Sequence, residues 1–154
     1  MAIYFLDSSA LVKRYIRETG SNWMCNLFDS SLGNQFFIAA ITGVEIISAI
    51  TRRAKNGSIN VADAIAICSQ FKQDFQTEYQ IIEISDRVIN SAINIAESYA
   101  LRGYDSVQLA SGLELNTLCI TNGLTGINFV SVDNNLNTAA LGKGLMIENP
   151  NNHT

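Results

Sequence analysis

Apolar residues along this chain fall into two alternating kinds of run. Short unbroken blocks, "AIYFL" at 2–6, "QFFIAAI" at 35–41, "YQIIEI" at 79–84, "NFVSV" at 128–132 and "LMIEN" at 145–149, have the length and the β-branched and aromatic content of buried strands. Between them apolar residues recur at helical spacing. Leu11, Val12, Tyr15 and Ile16 make one stripe; Val44, Ile47 and Ile50 a second; Val61, Ile65, Cys68, Phe71 or Lys72, and Phe75 a third; Ile89, Ala92, Ile93, Ala96 and Ala100 a fourth. Start signals precede them: Asp7 or Ser8, Thr42, Asn60, and Ser85 or Asp86. "SNWMCNLFDSS" predicts a short helix before Gly33, "YDSVQLASGLEL" a helix opening near Asp105, "TLCIT" a short apolar segment, and 136–141 a small last helix. Strands alternating with helices, without a strong hairpin signal, predict an α/β fold with a mainly parallel sheet covered on both faces.

Composition narrows the class. A length of 154 residues with 47% hydrophobic and 16% charged residues fits one domain. That domain is expected over 1–148, followed by a short polar tail at 149–154. No segment approaches the roughly 18 apolar residues of a membrane span, and no basic leader precedes an apolar run, so a cytoplasmic protein is expected. Cys25, Cys68 and Cys119 are far apart and predict core fillers, not a metal knuckle or a disulfide. His153 is the sole histidine, which leaves little for a His-dependent triad or a histidine-rich zinc site. Net charge is −4, against a broadly positive nucleic-acid surface. The charge is uneven, however: residues 1–55 carry six basic side chains against four acidic ones, and the remainder four against ten.

Ligand sites in open parallel sheets gather outside the carboxyl ends of the strands. Asp7 ends the first apolar block, Glu45 lies just beyond the second, Asp133 follows "NFVSV", and Asp105 opens its helix. Each has a plain structural alternative. Asp7 and Asp105 can cap helices, Glu45 stands at capping-box spacing from Thr42, and Asp133 can serve a turn. Taken together, four acids from four distant segments suit one hard divalent cation, Mg²⁺ or Mn²⁺, which takes oxygen ligands and needs neither histidine nor thiol.

"FLDSSALVKRY", "ITGVEIISAITRR", "LRGYDSVQLASGLEL" and "FVSVDNNLNTAA" resemble, in order, the four motifs of the PIN-domain family, in particular its VapC-type toxin ribonucleases. The resemblance implies a Rossmann-like α/β/α sandwich and a Mg²⁺- or Mn²⁺-dependent endoribonuclease, the toxin of a toxin–antitoxin pair. It implies catalytic acids at Asp7, Glu45, Asp105 and Asp133, with metal held by Asp7, Asp105 and Asp133 and supporting hydroxyls at Ser9 and Ser131. It further implies an RNA substrate, a cognate antitoxin and a homodimer. Where similar proteins often carry basic residues after the last acid, this chain has "NNLNT".

Lys13, Arg14, Arg52 and Arg102 are the candidate RNA contacts. Arg52 shares a helix face with Glu45 and Ser48 but also suits a helix C-terminus, and Arg102 precedes Asp105 by one turn, where it can pair with that acid. Trp23, Met24, Leu27 and Phe28 form an apolar helix side suited to core or to a partner. Two other functions fit the first acid less well. A haloacid-dehalogenase-type aspartyl phosphatase would need a second acid at position 9, which is serine. A non-catalytic binding module on the same fold would suit the acidic composition.

Overall fold

The computed structural model describes residues 1–153 as five strands and seven α-helices; Thr154, the end of the predicted tail, lies outside the described residues. The strands are β1 Ile3–Leu6, β2 Gln35–Ala39, β3 Gln80–Ile82, β4 Asn128–Val130 and β5 Met146–Glu148. They form one sheet in the order β3-β2-β1-β4-β5, with every neighbouring pair parallel. The chain builds outward from β1 through β2 to β3, then crosses to the other side for β4 and β5. A crevice therefore opens between the ends of β1 and β4, where the direction of winding reverses.

The helices are α1 Ser8–Leu11, α2 Ser21–Leu27, α3 Thr42–Lys55, α4 Val61–Thr77, α5 Asp86–Tyr99, α6 Gly103–Thr121 and α7 Asn134–Gly142. Two apolar cores result, one on each face of the sheet. Phe5, Phe129, Ile95, Leu109 and Leu136 anchor the face covered by α5, α6 and α7. Leu6, Ile38, Ile46, Ile50 and Phe71 anchor the face covered by α1 to α4. The predicted α/β/α sandwich with a parallel sheet is the fold observed. Among the described residues no helix is long and apolar enough to cross a membrane.

Several stripes sit differently from the predicted ones. In α3 the buried positions are Thr42, Ile46 and Ile50, and Val44 is 72% exposed. In α4 Ala64 and Phe71 turn inward while Val61 and Ile65 face out, and in α5 Val88 and Ile95 replace Ile89 and Ile93. Each helix carries apolar residues on two adjacent faces, and periodicity alone does not say which one meets the sheet. "TLCIT" is the last turn and a half of α6. Cys119 is buried, but Cys25 is exposed, so only part of the expected cysteine packing is observed.

The segment predicted as a tail is packed. Pro150–Asn152 form a 3₁₀ turn against the start of α2, where Gly20 has φ +86° and a Cβ would lie 2.6 Å from the Pro150 carbonyl oxygen. His153 stacks on Trp23 and pairs with Glu148. Met24 and Leu27 are core and Phe28 stacks on Phe36, so the interior takes most of the apolar side of α2.

Gly112 lets α6 approach the sheet, since a Cβ there would stand 2.9 Å from the Phe129 ring and 3.4 Å from Phe5. Gly112→Val must displace two fully buried, stacked rings. Chemical denaturation should show a loss of about 1–3 kcal/mol, with an unchanged midpoint contradicting this packing.

Candidate active site

Asp7 follows β1 at the crevice and is only 3% exposed. Its Oδ1 accepts from the Ala10 N–H at 2.9 Å and the Ser9 hydroxyl at 2.7 Å, and its Oδ2 accepts from the Ser131 hydroxyl at 2.7 Å. The two serines are themselves held by the chain beyond β4. Val132 N–H donates to Ser9 Oγ at 3.2 Å, and Asp133 N–H to Ser131 Oγ at 3.1 Å. The end of β4 is thereby fastened to the carboxylate at the end of β1. Asp7 also caps α1, so its structural and chemical roles coincide.

Asp133 is divided in the same way. Oδ1 caps α7 by accepting from Leu136 N–H at 2.9 Å, and Oδ2 stands 3.5 Å from Arg102 Nη2. Arg102 Nε lies 3.1 Å from Asp105 Oδ2, so one guanidinium bridges two of the acids. Asp105 is in the first turn of α6 and is not its cap, which is Arg102. Glu45 lies in the first turn of α3, but no capping box forms. Ile41 is the N-cap, and Gln108 from α6 donates its amide to both Thr42 Oγ1 at 2.9 Å and Glu45 Oε1 at 2.6 Å.

All four acids line one cavity of about 840 Å³, together with Ser8, Ser9, Ser48, Arg52, Arg53 and Tyr104. Burial pushes the Asp7 carboxyl up to about 6 against the pull of its three donors, and the charge of Asp105 adds to the rise. Burial also raises the Glu45 carboxyl, Gln108 opposing and Asp105 reinforcing the shift. Buried carboxylates that resist ionisation invite a compensating cation. Every donor is an oxygen, and Asp7 retains lone-pair capacity beyond its three hydrogen bonds. This donor chemistry fits Mg²⁺ or Mn²⁺. Among the described residues no three such side chains are drawn close enough to cage an ion as they stand, and Arg102 is the counter-charge between Asp105 and Asp133.

The basic candidates divide. Arg52 and Arg102 line the cavity, whereas Lys13 and Arg14 are not brought to it. After its single turn α1 tightens into a 3₁₀ turn over Val12–Arg14, which swings both inward. Lys13 is 5% exposed and pairs with Glu18 at 3.0 Å. Arg14 lies 3.7 Å over the Phe28 ring, donates to Tyr79 Oη at 2.7 Å and pairs with Glu78 at 2.9 Å.

Three residues of the site carry no sequence signal for their roles. Gln108 and Asn137 are polar positions in helical runs, and only tertiary contact shows that Gln108 holds Glu45 and that Asn137 donates to the Ser131 carbonyl at 2.9 Å. Asn137 belongs to "NNLNT", so part of that departure from the usual basic pattern secures the end of β4. Tyr104 borders Asp105 and is 64% exposed at the cavity.

No protein-family profile matches the chain. The chain is 27% identical over 147 residues to ribonuclease VapC45 and, equally, to ribonuclease VapC49 of Mycobacterium tuberculosis, covering 96% of this chain and 95% of each relative. Among solved structures, FitAcB from Neisseria gonorrhoeae matches with a TM-score of 0.68 at 14% identity, over 99% of both chains. VapBC2 from Rickettsia felis, bound to a DNA fragment from its promoter, matches at 0.60 and 15%, over 96% of this chain and 98% of that one. The chain resembles the VapC-type PIN-domain proteins in sequence and in fold. The match to FitAcB, over 99% of the chain, takes in the whole sheet.

The raised Asp7 carboxyl makes a prediction for chelator-treated protein. Its folded pKa of about 6 exceeds the ordinary value of 3.8, so the folded state is favoured while Asp7 is protonated. Stability should fall as pH rises from about 4 to about 6, and then level off. Asp7→Asn removes that penalty. At pH 7.5 the variant should be more stable than the parent by about 2–3 kcal/mol, and at pH 4 nearly equal, as read by urea unfolding. A variant less stable at both pH values would contradict the buried, reluctant carboxylate.

Proposed function

We propose that this protein is a divalent-metal-dependent endoribonuclease of the cytoplasm, the toxin of a toxin–antitoxin pair. The observation that carries this reading is the convergence of Asp7, Glu45, Asp105 and Asp133 on one cavity at the reversal point of the sheet. Its family context is the similarity to proteins named VapC ribonucleases.

In this reading Asp7, Asp105 and Asp133 would hold Mg²⁺ or Mn²⁺, whose contribution when bound is Lewis acidity toward water and phosphate oxygens. Glu45, clamped by Gln108 and raised by burial, orients the attacking water and accepts its proton. Ser9 and Ser131 keep Asp7 fixed while its charge changes. Arg102, 81% exposed, is free to leave Asp105 and Asp133 and meet a phosphate. The phosphatase alternative lacks its acid, because the Ser9 hydroxyl is spent on Asp7.

A cognate antitoxin and a homodimer belong to the same proposal. An apolar groove of about 430 Å³ between α3 and α4, lined by Ile47, Ala54, Val61, Ile65 and Cys68, offers a face for an amphipathic helix.

Purified, antitoxin-free protein should cleave RNA with Mn²⁺ and stop on chelation. Asp7→Asn, Asp105→Asn and Glu45→Gln should each lower the rate on the order of a hundredfold or more. Metal-supported cleavage that is unchanged in both Asp7→Asn and Asp105→Asn would sink the assignment.

A further inference from the structure

The walls of the cavity beyond the carboxylates contain two side chains that the fold does not use. Tyr104, in the first turn of α6, is 64% exposed. Among the described residues its ring packs on no other aromatic ring and its hydroxyl makes no hydrogen bond. Tyrosine has no special merit in an exposed first helical turn, so local structure gives no reason for it. Its chain neighbour is Asp105, and its ring borders the cavity that holds the acids.

Arg52, near the end of α3, is likewise uncommitted. The other cations nearby are engaged: Arg53 pairs with Glu18 at 3.6 Å, Lys13 pairs with the same glutamate, and Arg102 bridges Asp105 and Asp133. Arg52 makes no ion pair among the described residues, and it lines the cavity with Ser48 and Glu45 on one face of α3. Seven residues of helix put it about 10 Å from Glu45 along the axis. That is too far for the phosphate under attack but suits a neighbouring one on the same strand.

We propose that Tyr104 and Arg52 form the substrate-positioning subsites of this cavity, Tyr104 stacking on one unpaired base beside the cleaved linkage and Arg52 holding a neighbouring phosphate. The proposal rests on the ribonuclease reading and sharpens it. An aromatic ring can stack only on a base that has left its helix, and in A-form duplex the bases are stacked on one another. The substrate class is therefore single-stranded RNA or an open loop. The acidic cavity also explains why such aids are needed. Five carboxylates line it against three arginines, and stacking binds the strand without depending on charge.

The test uses the full chain with Mn²⁺ and a fluorescent single-stranded RNA oligonucleotide, alone or annealed to its complement. Parent, Tyr104→Ala, Tyr104→Phe and Arg52→Gln are compared by kcat and KM across a salt series, with melting temperatures as a check on folding. Both side chains are exposed, so melting should be unchanged. Tyr104→Ala should raise KM about fivefold to a hundredfold, Tyr104→Phe should restore it to within about twofold, and neither should alter the salt slope. Arg52→Gln should weaken binding and reduce the salt slope of kcat/KM by about 0.7, the share of one phosphate contact on a single strand. The annealed oligonucleotide should be cut poorly by all four proteins. An active parent matched by Tyr104→Ala, or a Tyr104→Phe as impaired as the alanine variant, overturns the stacking subsite alone. An unchanged salt slope in Arg52→Gln overturns the phosphate subsite alone. A parent that cleaves no RNA overturns the ribonuclease reading and this inference with it.

Discussion

The Asp7 carboxylate is the fixed point of the structure. It is buried where β1 stops, and its three donors come from α1 on one side and from the end of β4 on the other. Burying a charge costs free energy unless hydrogen bonds or an opposite charge compensate it. Here the hydrogen bonds also join two strands that are distant in sequence and adjacent in the sheet, with Leu6 in register with Val130. The same contacts that make the fold close at its reversal point place a buried acid in the lining of a cavity.

Charge balance extends the pattern outward. Asp7 and Glu45 both have raised carboxyl pKa values, burial first and the proximity of Asp105 afterwards. Arg102 pairs with the other two, Asp105 and Asp133. One cationic side chain thus serves two acids, and the remaining two depend on hydrogen bonding. Gln108 and Asn137 complete the frame from opposite sides, one holding Glu45 and the other the carbonyl of Ser131. Each leaves its amide oxygen buried without a partner, a cost accepted at the walls of the site.

Much of this is legible in the sequence itself. The strand blocks are short, apolar and clearly bounded, so their ends are well defined, and the acids at those ends follow from the rule for parallel sheets. The helices are less so. "VEIISAI" has apolar residues on two faces; the predicted Ile50 is buried, and only packing against the sheet adds Ile46 and leaves Val44 exposed. Lys13 and Arg14 read as a solvated basic rim because a continuing α-helix would expose them; the change to 3₁₀ winding buries Lys13 and stacks Arg14. Tyr104, Gln108 and Asn137 have no periodic or motif signature at all. What they do depends on which helix lies beside them, and that is decided by contacts between segments far apart in the chain.

Everything proposed for the chemistry depends on these four acids forming one site for a hard cation. The most direct measurement is an anomalous difference map from crystals of the protein grown or soaked with Mn²⁺. A peak is expected among Asp7, Asp105 and Asp133, close to Glu45, with the Arg102 guanidinium moved off the carboxylates it now bridges. A map at saturating Mn²⁺ with no peak in this cavity, and Arg102 still between Asp105 and Asp133, would contradict it.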